Sequence, residues 1–235
     1  MIKIENTDVN GIDAAIRGMR NPMNSWDMSD SDWCSATTCC DKHTGSCDCG
    51  GYCVGRTDFR LMKSLANAGP DHGKFLRFIT VSFDITAPLY WWKEFDTYKV
   101  GTVANSCSTM HKIHAKEFTL EDFSHEHLFN GYDLIEGSSD MEYYENPETC
   151  LDYTIRVMNH YRQKFIETKD KKYWWQLIQL LPTSYNQRRT VLLNYQVLKT
   201  MYHARKNHKL DEWRDFCEFI KTLPYSELIT DGKGE

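Results

Sequence analysis

The sequence predicts an α+β fold, and three observations carry that prediction. Residues 77–86 alternate strictly, with Ile79, Val81, Phe83 and Ile85 on one side and Thr80, Ser82 and Asp84 on the other, the period of a half-buried strand. The last third of the chain instead repeats apolar residues every three or four positions, the period of helices packed on a core. Neither an internal repeat nor a domain linker interrupts the chain, so one α+β domain over residues 1–235 is expected.

The elements follow in order. Ile2 to Glu5 reads as a short strand, and Gly11 to Met19 as an amphipathic helix stopped at Asn21-Pro22. Residues 24–56 are rich in Ser, Asp, Thr, Gly and Cys and nearly lack aliphatics, the composition of an insertion. Thr57 is placed to cap a helix that runs to Ala68, where Gly69-Pro70 ends it. After the 77–86 strand, Pro88 stands where a first helical residue would, opening an aromatic helix to about Tyr98. Residues 100–116 read as loop, and 117–149 as an acidic, irregular segment. Four stripes then predict helices: Leu151, Ile155, Met158 and Phe165; Tyr173 to Leu181; Leu192, Tyr195, Leu198 and Met201; and Leu210, Trp213, Cys217 and Ile220.

Charge narrows the partners. Twenty-eight basic against thirty-three acidic residues give a net charge of -5, which excludes a blanket nucleic-acid coat and makes any anion site local. No window approaches the ~20 apolar residues of a membrane span, and Met1 to Glu5 lacks the pattern of a secretory signal. A cytoplasmic, reducing setting is therefore expected, in which nine Cys raise the question of thiols or metal. Two stretches stand out because they hold no Asp or Glu. Thr183 to Leu210 carries Arg188, Arg189, Lys199, Arg205, Lys206, Lys209, His203 and His208; Thr97 to Lys116 carries Lys99, Lys112, Lys116, His111 and His114. The second also offers Thr102, Asn105, Ser106, Ser108 and Thr109, small polar residues suited to phosphate oxygens. Two solvated basic faces or a phosphate site both satisfy this pattern.

Three segments, in order, resemble the flavin-dependent thymidylate synthase family. Gly69-Pro70-Asp71-His72-Gly73-Lys74-Phe75 is similar to the family's Gly-His-x-Ser/Thr-Pro-Phe-Glu-His run, with His72 shifted by one residue. The strand ending at Ala87-Pro88 leads into a segment similar to the signature Arg-His-Arg-x-x-Ser-x-Asn-Glu-x-Ser-x-Arg, which falls on Thr97-Tyr98-Lys99, Thr102, Ala104-Asn105, Cys107 and Thr109. Leu181-Pro182 through Asn194, Gln196, Leu198, Arg205, His208 and Trp213-Arg214 resembles the family's Leu-Pro helix pair with its Asn-x-Arg.

The resemblance implies a twisted, largely antiparallel sheet with long helices, and a homotetramer whose active sites lie between subunits. It also implies FAD, NADPH and methylenetetrahydrofolate, acting on dUMP or a related pyrimidine nucleotide. Carried over position by position, it puts the cofactor at His72, Tyr98, Lys99, Thr102 and Asn194. It puts the nucleotide at Asn105, Cys107, Ser108, Gln196 and Arg205, with Arg188 supplying phosphate charge that the signature has lost. Only Lys99 keeps the charge of the Arg-His-Arg, and an arginine expected at position 196 is Gln196. No catalytic residue is assigned. An enzyme is the leading reading, and a non-catalytic or substrate-shifted nucleotide- or flavin-binding protein on the same scaffold is the alternative.

The insertion holds Cys34, Cys39, Cys40, Cys47, Cys49 and Cys53, spaced C-x4-C-C-x6-C-x-C-x3-C. Four thiolates, with Cys39, Cys47, Cys49 and Cys53 as the candidate set, would close a tetrahedral structural zinc site. A loop of free thiols and a redox disulfide pair fit the same spacing, since the paired knuckles of a zinc ribbon are absent. Aromatic helices over 89–98 and 173–181 are expected to form subunit interfaces.

Overall fold

A computed structural model of the chain describes residues 2–33, 51–130 and 146–232. In order come β1 (Lys3–Asn10), α1 (Ile12–Arg20), β2 (Asp32–Trp33), β3 (Tyr52–Cys53), α2 (Arg56–Asn67), β4 (Thr80–Pro88) and α3 (Leu89–Phe95). They are followed by β5 (Val103–Ser106), α4 (Thr109–Lys112), α5 (Pro147–Thr168), α6 (Lys171–Leu180), β6 (Asn186–Asn194), α7 (Tyr195–Arg205), α8 (Asp211–Lys221) and α9 (Glu227–Thr230). The α+β expectation holds. Four strands hydrogen-bond in the order β1-β4-β6-β5, and β2 pairs antiparallel with β3.

Strand β4 forms as its alternation requires: Ile79, Val81, Phe83 and Ile85 are buried, and Thr80, Ser82 and Asp84 are half-buried. Helix α5 starts where Asn146 Oδ1 accepts from the N–H groups of Glu148 and Thr149, with Pro147 in the first turn. The chain turns at Lys169, whose φ of 57° is left-handed, and Asp170 caps α6 by accepting from Lys172 N–H.

Several expectations need correction. Helix α2 begins at Arg56, and its cap comes from elsewhere: Asp30 accepts from the N–H groups of Thr57 and Asp58 at 2.8 and 3.0 Å. Burial pushes the Asp30 carboxyl up, but these two N–H groups, with the Thr57 hydroxyl and Asp30's own N–H, together hold its pKa below the usual value. The aromatic helix ends at Phe95, and Pro88 closes β4 instead of opening the helix. The 100–116 stretch contains strand β5 and helix α4.

The largest correction lies at Leu192, read as the first residue of a helical stripe and found within strand β6 (Asn186–Asn194). Gln187, Val191 and Leu193 point inward, and Leu192 is 42% exposed. Adjacent apolar residues Val191, Leu192 and Leu193 blur the two-residue period, and the true helical stripe begins only at Tyr195.

Two compact units are present, each drawn from separate stretches of chain. The first comprises residues 1–3, 86–95 and 105–189, the second 4–85, 96–104 and 190–235. In the first unit, Ile113, Phe118, Phe123, Leu151, Ile155, Met158 and Leu177 form one apolar cluster. Trp91, Trp92 and Phe95 of α3 are buried and touch edge-on or tilted at 5.0–5.1 Å, so α3 is core and not the exposed interface helix expected. Helix α6 still exposes Trp175 and Leu180. In the second unit, Phe83 packs against Phe216 and Phe219, and Tyr195 takes the carbonyl of Ile79 at 3.0 Å.

The base of the Cys-rich segment is tied down in that second unit. Arg20, 3% exposed, pairs with the fully buried Asp58 at 2.6 Å and also donates to the carbonyls of Ser25 and Met28. Ser29 and Ser31 each donate to Asp58 Oδ2 at 2.6 Å. Residues 34–50 lie outside the described residues, and with them Cys39, Cys47 and Cys49 of the candidate zinc set; Cys53 is buried on β3. Much of the acidic segment, residues 131–145, lies outside them too.

Candidate functional site

The sharpest local arrangement lies in the second unit, where strand β6 gives way to helix α7. Asn194 ends the strand and caps the helix, its Oδ1 accepting from Val197 N–H at 3.0 Å. Its amide nitrogen faces the 97–102 loop. Gly101 there has φ +77°, and a Cβ on it would sit 2.7 Å from Asn194 Nδ2, so only glycine lets the loop come this close.

Between this loop and the first turns of α7 is a cavity of about 380 Å³, lined chiefly by Arg77, Tyr98, Lys99, Asn194, Gln196 and Thr200. That is within the range of about 300–1,000 Å³ usual for small-molecule sites. Among the described residues, two cations and no carboxylate line it, which favours an anionic group.

Tyr98 is fixed from behind. Arg205 Nε donates to the Tyr98 hydroxyl at 2.9 Å, and the guanidinium lies 5.6 Å from the Tyr98 ring centroid and 4.9 Å from that of Trp213. One step along the loop, Thr102 Oγ1 is buried with no hydrogen-bond partner among the described residues.

The residues singled out from sequence thus divide. Tyr98, Lys99, Asn194 and Gln196 come together around the cavity. Arg205 belongs to the same unit, but it braces Tyr98 and does not line the cavity. His72 is exposed on the turn before Gly73–Arg77 and does not line that cavity.

Asn105, Cys107, Ser108 and Arg188 belong to the first unit. Asn105 is exposed on β5, Cys107 N–H donates to the Arg188 carbonyl at 2.9 Å, and Ser108 caps α4 by accepting from His111 N–H. Beside them the buried Gln187 donates to the Cys107 carbonyl and accepts from Arg189 Nε at 3.0 Å. The Arg189 guanidinium stacks 4.1 Å from the Trp92 ring centroid.

Sequence reasoning missed Gly101, Arg77 and Thr200 as cavity residues. Gly101 could have been flagged, since it interrupts the acid-free stretch at the point where a tight approach is made.

The residues around the cavity fit a phosphate-bearing, partly aromatic group such as FAD: two cations, a braced tyrosine, an amide and a glycine-opened wall. Among the described residues no cluster of three or more His, Cys, Asp or Glu is arranged to hold a metal.

No protein-family model matches the chain, and no curated protein does. Solved structures do match. Thymidylate synthase X from Helicobacter pylori, crystallised with FAD and dUMP, superimposes with a TM-score of 0.63 at 14% identity, covering 98% of this chain and 97% of that one. The UMP/dUMP methylase PolB from Streptomyces cacaoi, bound with 5-Br dUMP, gives 0.60 at 15% identity over 98% and 95% of the two chains. Its complex with 5-Br UMP gives 0.59 at 14% identity over 98% and 94%. Likeness over nearly the whole of both chains fixes the architecture, and this protein therefore has the fold of the flavin-dependent thymidylate synthases.

Proposed function

We propose that this protein binds FAD and a pyrimidine nucleotide and carries out flavin-mediated reductive methylation of the uracil ring. The observation that carries the reading is the acid-free cavity at the β6–α7 junction, on a fold shared with a flavin-dependent thymidylate synthase and a UMP/dUMP methylase. When bound, the flavin would supply the hydride, taken from NADPH, that reduces a methylene group from methylenetetrahydrofolate to the methyl of the product. The chain's own residues bind and orient: Lys99 and Arg77 balance phosphate charge, Asn194 Nδ2 offers an amide donor, and the braced Tyr98 gives a flat face for stacking.

A second reading is supported by one observation. Arg205, the arginine that the resemblance would turn toward the nucleotide base, is engaged by Tyr98 and Trp213. A chain that binds flavin without methylating dUMP, or that acts on another pyrimidine nucleotide, is consistent with that. A homotetramer and a cytoplasmic setting belong to the same proposal. Large exposed side chains such as Val100, 90% exposed, and Met23, 81% exposed, are surfaces that a partner copy would cover. Among the described residues, no helix is long and apolar enough to cross a membrane.

The test is to purify the protein, record its visible absorbance, and measure FAD affinity for wild type and Lys99→Ala. A flavin spectrum with affinity lowered about tenfold in Lys99→Ala is expected, the loss of one charge-assisted contact. A colourless protein that takes up no added FAD ends the enzyme reading. Turnover on dUMP then separates catalyst from binder, and it is expected to be slow.

A further inference from the structure

The acid-free stretch Thr97 to Lys116 reaches beyond the cavity at the β6–α7 junction. His111, Lys112 and His114 do not line that cavity and belong to the first unit, with all of α4, α5 and α6. There the 109–114 stretch lies against both α5 and α6 near the turn that joins them. Trp174 Nε1 of α6 donates to the Met110 carbonyl at 3.2 Å, and Arg162 Nε of α5 donates to the His114 carbonyl at 3.0 Å. Arg162, Phe165 and Lys169 stand at i, i+3 and i+7 and so share one face of α5 and its cap. It is the face that meets His114, whose ring packs edge-on against that of Phe165 at 4.8 Å.

The corner gathers cations. Lys112, Lys169 and Lys171 are exposed and Arg162 is half-buried. Burial first, then the charges of Lys169, Lys112 and Arg162, hold the His114 pKa below its usual value, and no carboxylate acts on it in the opposite sense. Asp122 is engaged by Lys116, Asp170 by Lys172 and Glu167 by Gln163. The C-terminal end of α5 carries about half a negative charge, which these four cations exceed. An aromatic surface adjoins them. Trp174 and Trp175 lie edge-on at 4.9 Å, Lys171 Nζ sits 6.0 and 5.4 Å from their ring centroids, and Trp175 is 42% exposed.

We propose that this corner binds single-stranded nucleic acid, with backbone phosphates against Lys112, Arg162 and Lys169 and a base on the exposed ring of Trp175. Cations hold a phosphate backbone without reading its sequence, and an indole face stacks with any base. An acidic peptide would use the same cations but has no need of the ring beside Lys171. Confinement to one corner agrees with the net charge of -5, which excludes a broad coat. The proposal is independent of the flavin reading, since none of these four residues lines the cavity that a flavin would enter.

The experiment is fluorescence anisotropy of a labelled single-stranded oligonucleotide of about ten nucleotides, titrated with the full chain at about 50 mM and about 200 mM salt. Wild type is expected to bind, and to bind about tenfold more weakly at the higher salt. The double variant Lys112→Gln with Lys169→Gln should bind about tenfold more weakly at the lower salt and respond less to salt. Trp175→Ala should also lose about tenfold, with the salt response kept, because it removes stacking and no charge. All three residues are exposed, so the replacements spare the fold, and thermal melting checks this. Lys99→Gln, at the other site, should bind as wild type does. Absence of oligonucleotide binding by wild type at the lower salt, or undiminished binding by the double variant, overturns the proposal. Binding of a poly-glutamate peptide in place of the oligonucleotide overturns it too and gives the cations to an acidic partner. A Trp175→Ala variant that changes mass in light scattering and keeps full oligonucleotide affinity overturns the stacking contact and gives that ring to a subunit interface.

Discussion

Arg205 donates to the Tyr98 hydroxyl and lies against the rings of both Tyr98 and Trp213, so a residue suited to ligand recognition serves as a brace. Arg205→Ala should therefore cost stability, about 1–3 kcal/mol for one charged hydrogen bond and two cation–π contacts. Tyr98→Phe, which removes only the hydroxyl, should cost about 1 kcal/mol. Urea unfolding measures both, and a midpoint unchanged in Arg205→Ala would show that the brace is idle.

The Arg20–Asp58 pair is buried and carries the hydrogen bonds of Ser29 and Ser31 as well. Removing one partner strands the other charge without water, so Asp58→Ala should cost about 3–5 kcal/mol. Proteolysis within the 25–31 segment should accelerate in the same variant. A loss below about 1 kcal/mol would mean that the charge finds solvent, contrary to its burial.

Gly101→Ala tests the loop's approach to Asn194. The left-handed φ and the 2.7 Å spacing both oppose a Cβ, so the loop must shift away from the α7 cap. A stability loss of about 1–2 kcal/mol, together with weaker flavin uptake, is expected. Full flavin affinity in this variant would detach the cavity from the proposed cofactor.

Two histidines give the fold an acid sensitivity. His114 is held below the usual histidine value of 6.5 by burial and then by the charges of Lys169, Lys112 and Arg162, and its Nδ1 is buried without a hydrogen-bond partner among the described residues. His203 is shifted the same way, chiefly by burial. The unfolded chain then binds these protons more tightly than the folded one. Their stabilising contribution is complete above pH 6.5 and is lost as pH falls through the lowered folded values. Comparing urea midpoints at about pH 7.5 and about pH 5.5 should show a smaller drop in His114→Leu than in wild type. Equal drops would assign the sensitivity elsewhere.

How much of this was legible beforehand depended on whether a signal was local. The alternation of Ile79 to Ile85 and the stripe Leu151, Ile155, Met158 are self-contained patterns, and both elements formed as read. The cap of α2 was invisible because its acceptor, Asp30, stands 27 residues before Thr57. Strand β6 was hidden by three consecutive apolar residues that satisfy either period. At the candidate site, the two acid-free stretches contain Tyr98, Lys99, Asn194 and Gln196, which line one cavity. Spacing could not reveal that Arg205 turns to Tyr98, because a guanidinium that braces and one that binds look alike until the neighbouring rings are placed.

The interleaved make-up of the two units bears on how the chain acquires its structure. The second unit draws on residues 4–85, 96–104 and 190–235, so no N-terminal fragment contains all of it. A nascent chain that has reached only residue 189 already exposes Ile79 and Phe83, but the Tyr195 N–H and the Phe216 and Phe219 rings that satisfy them have yet to be synthesised. Such closure across long sequence separations slows folding and leaves apolar strand surface open in the meantime. Residues 190–232 therefore act as a keystone, covering apolar strand surface that stays open until they are in place.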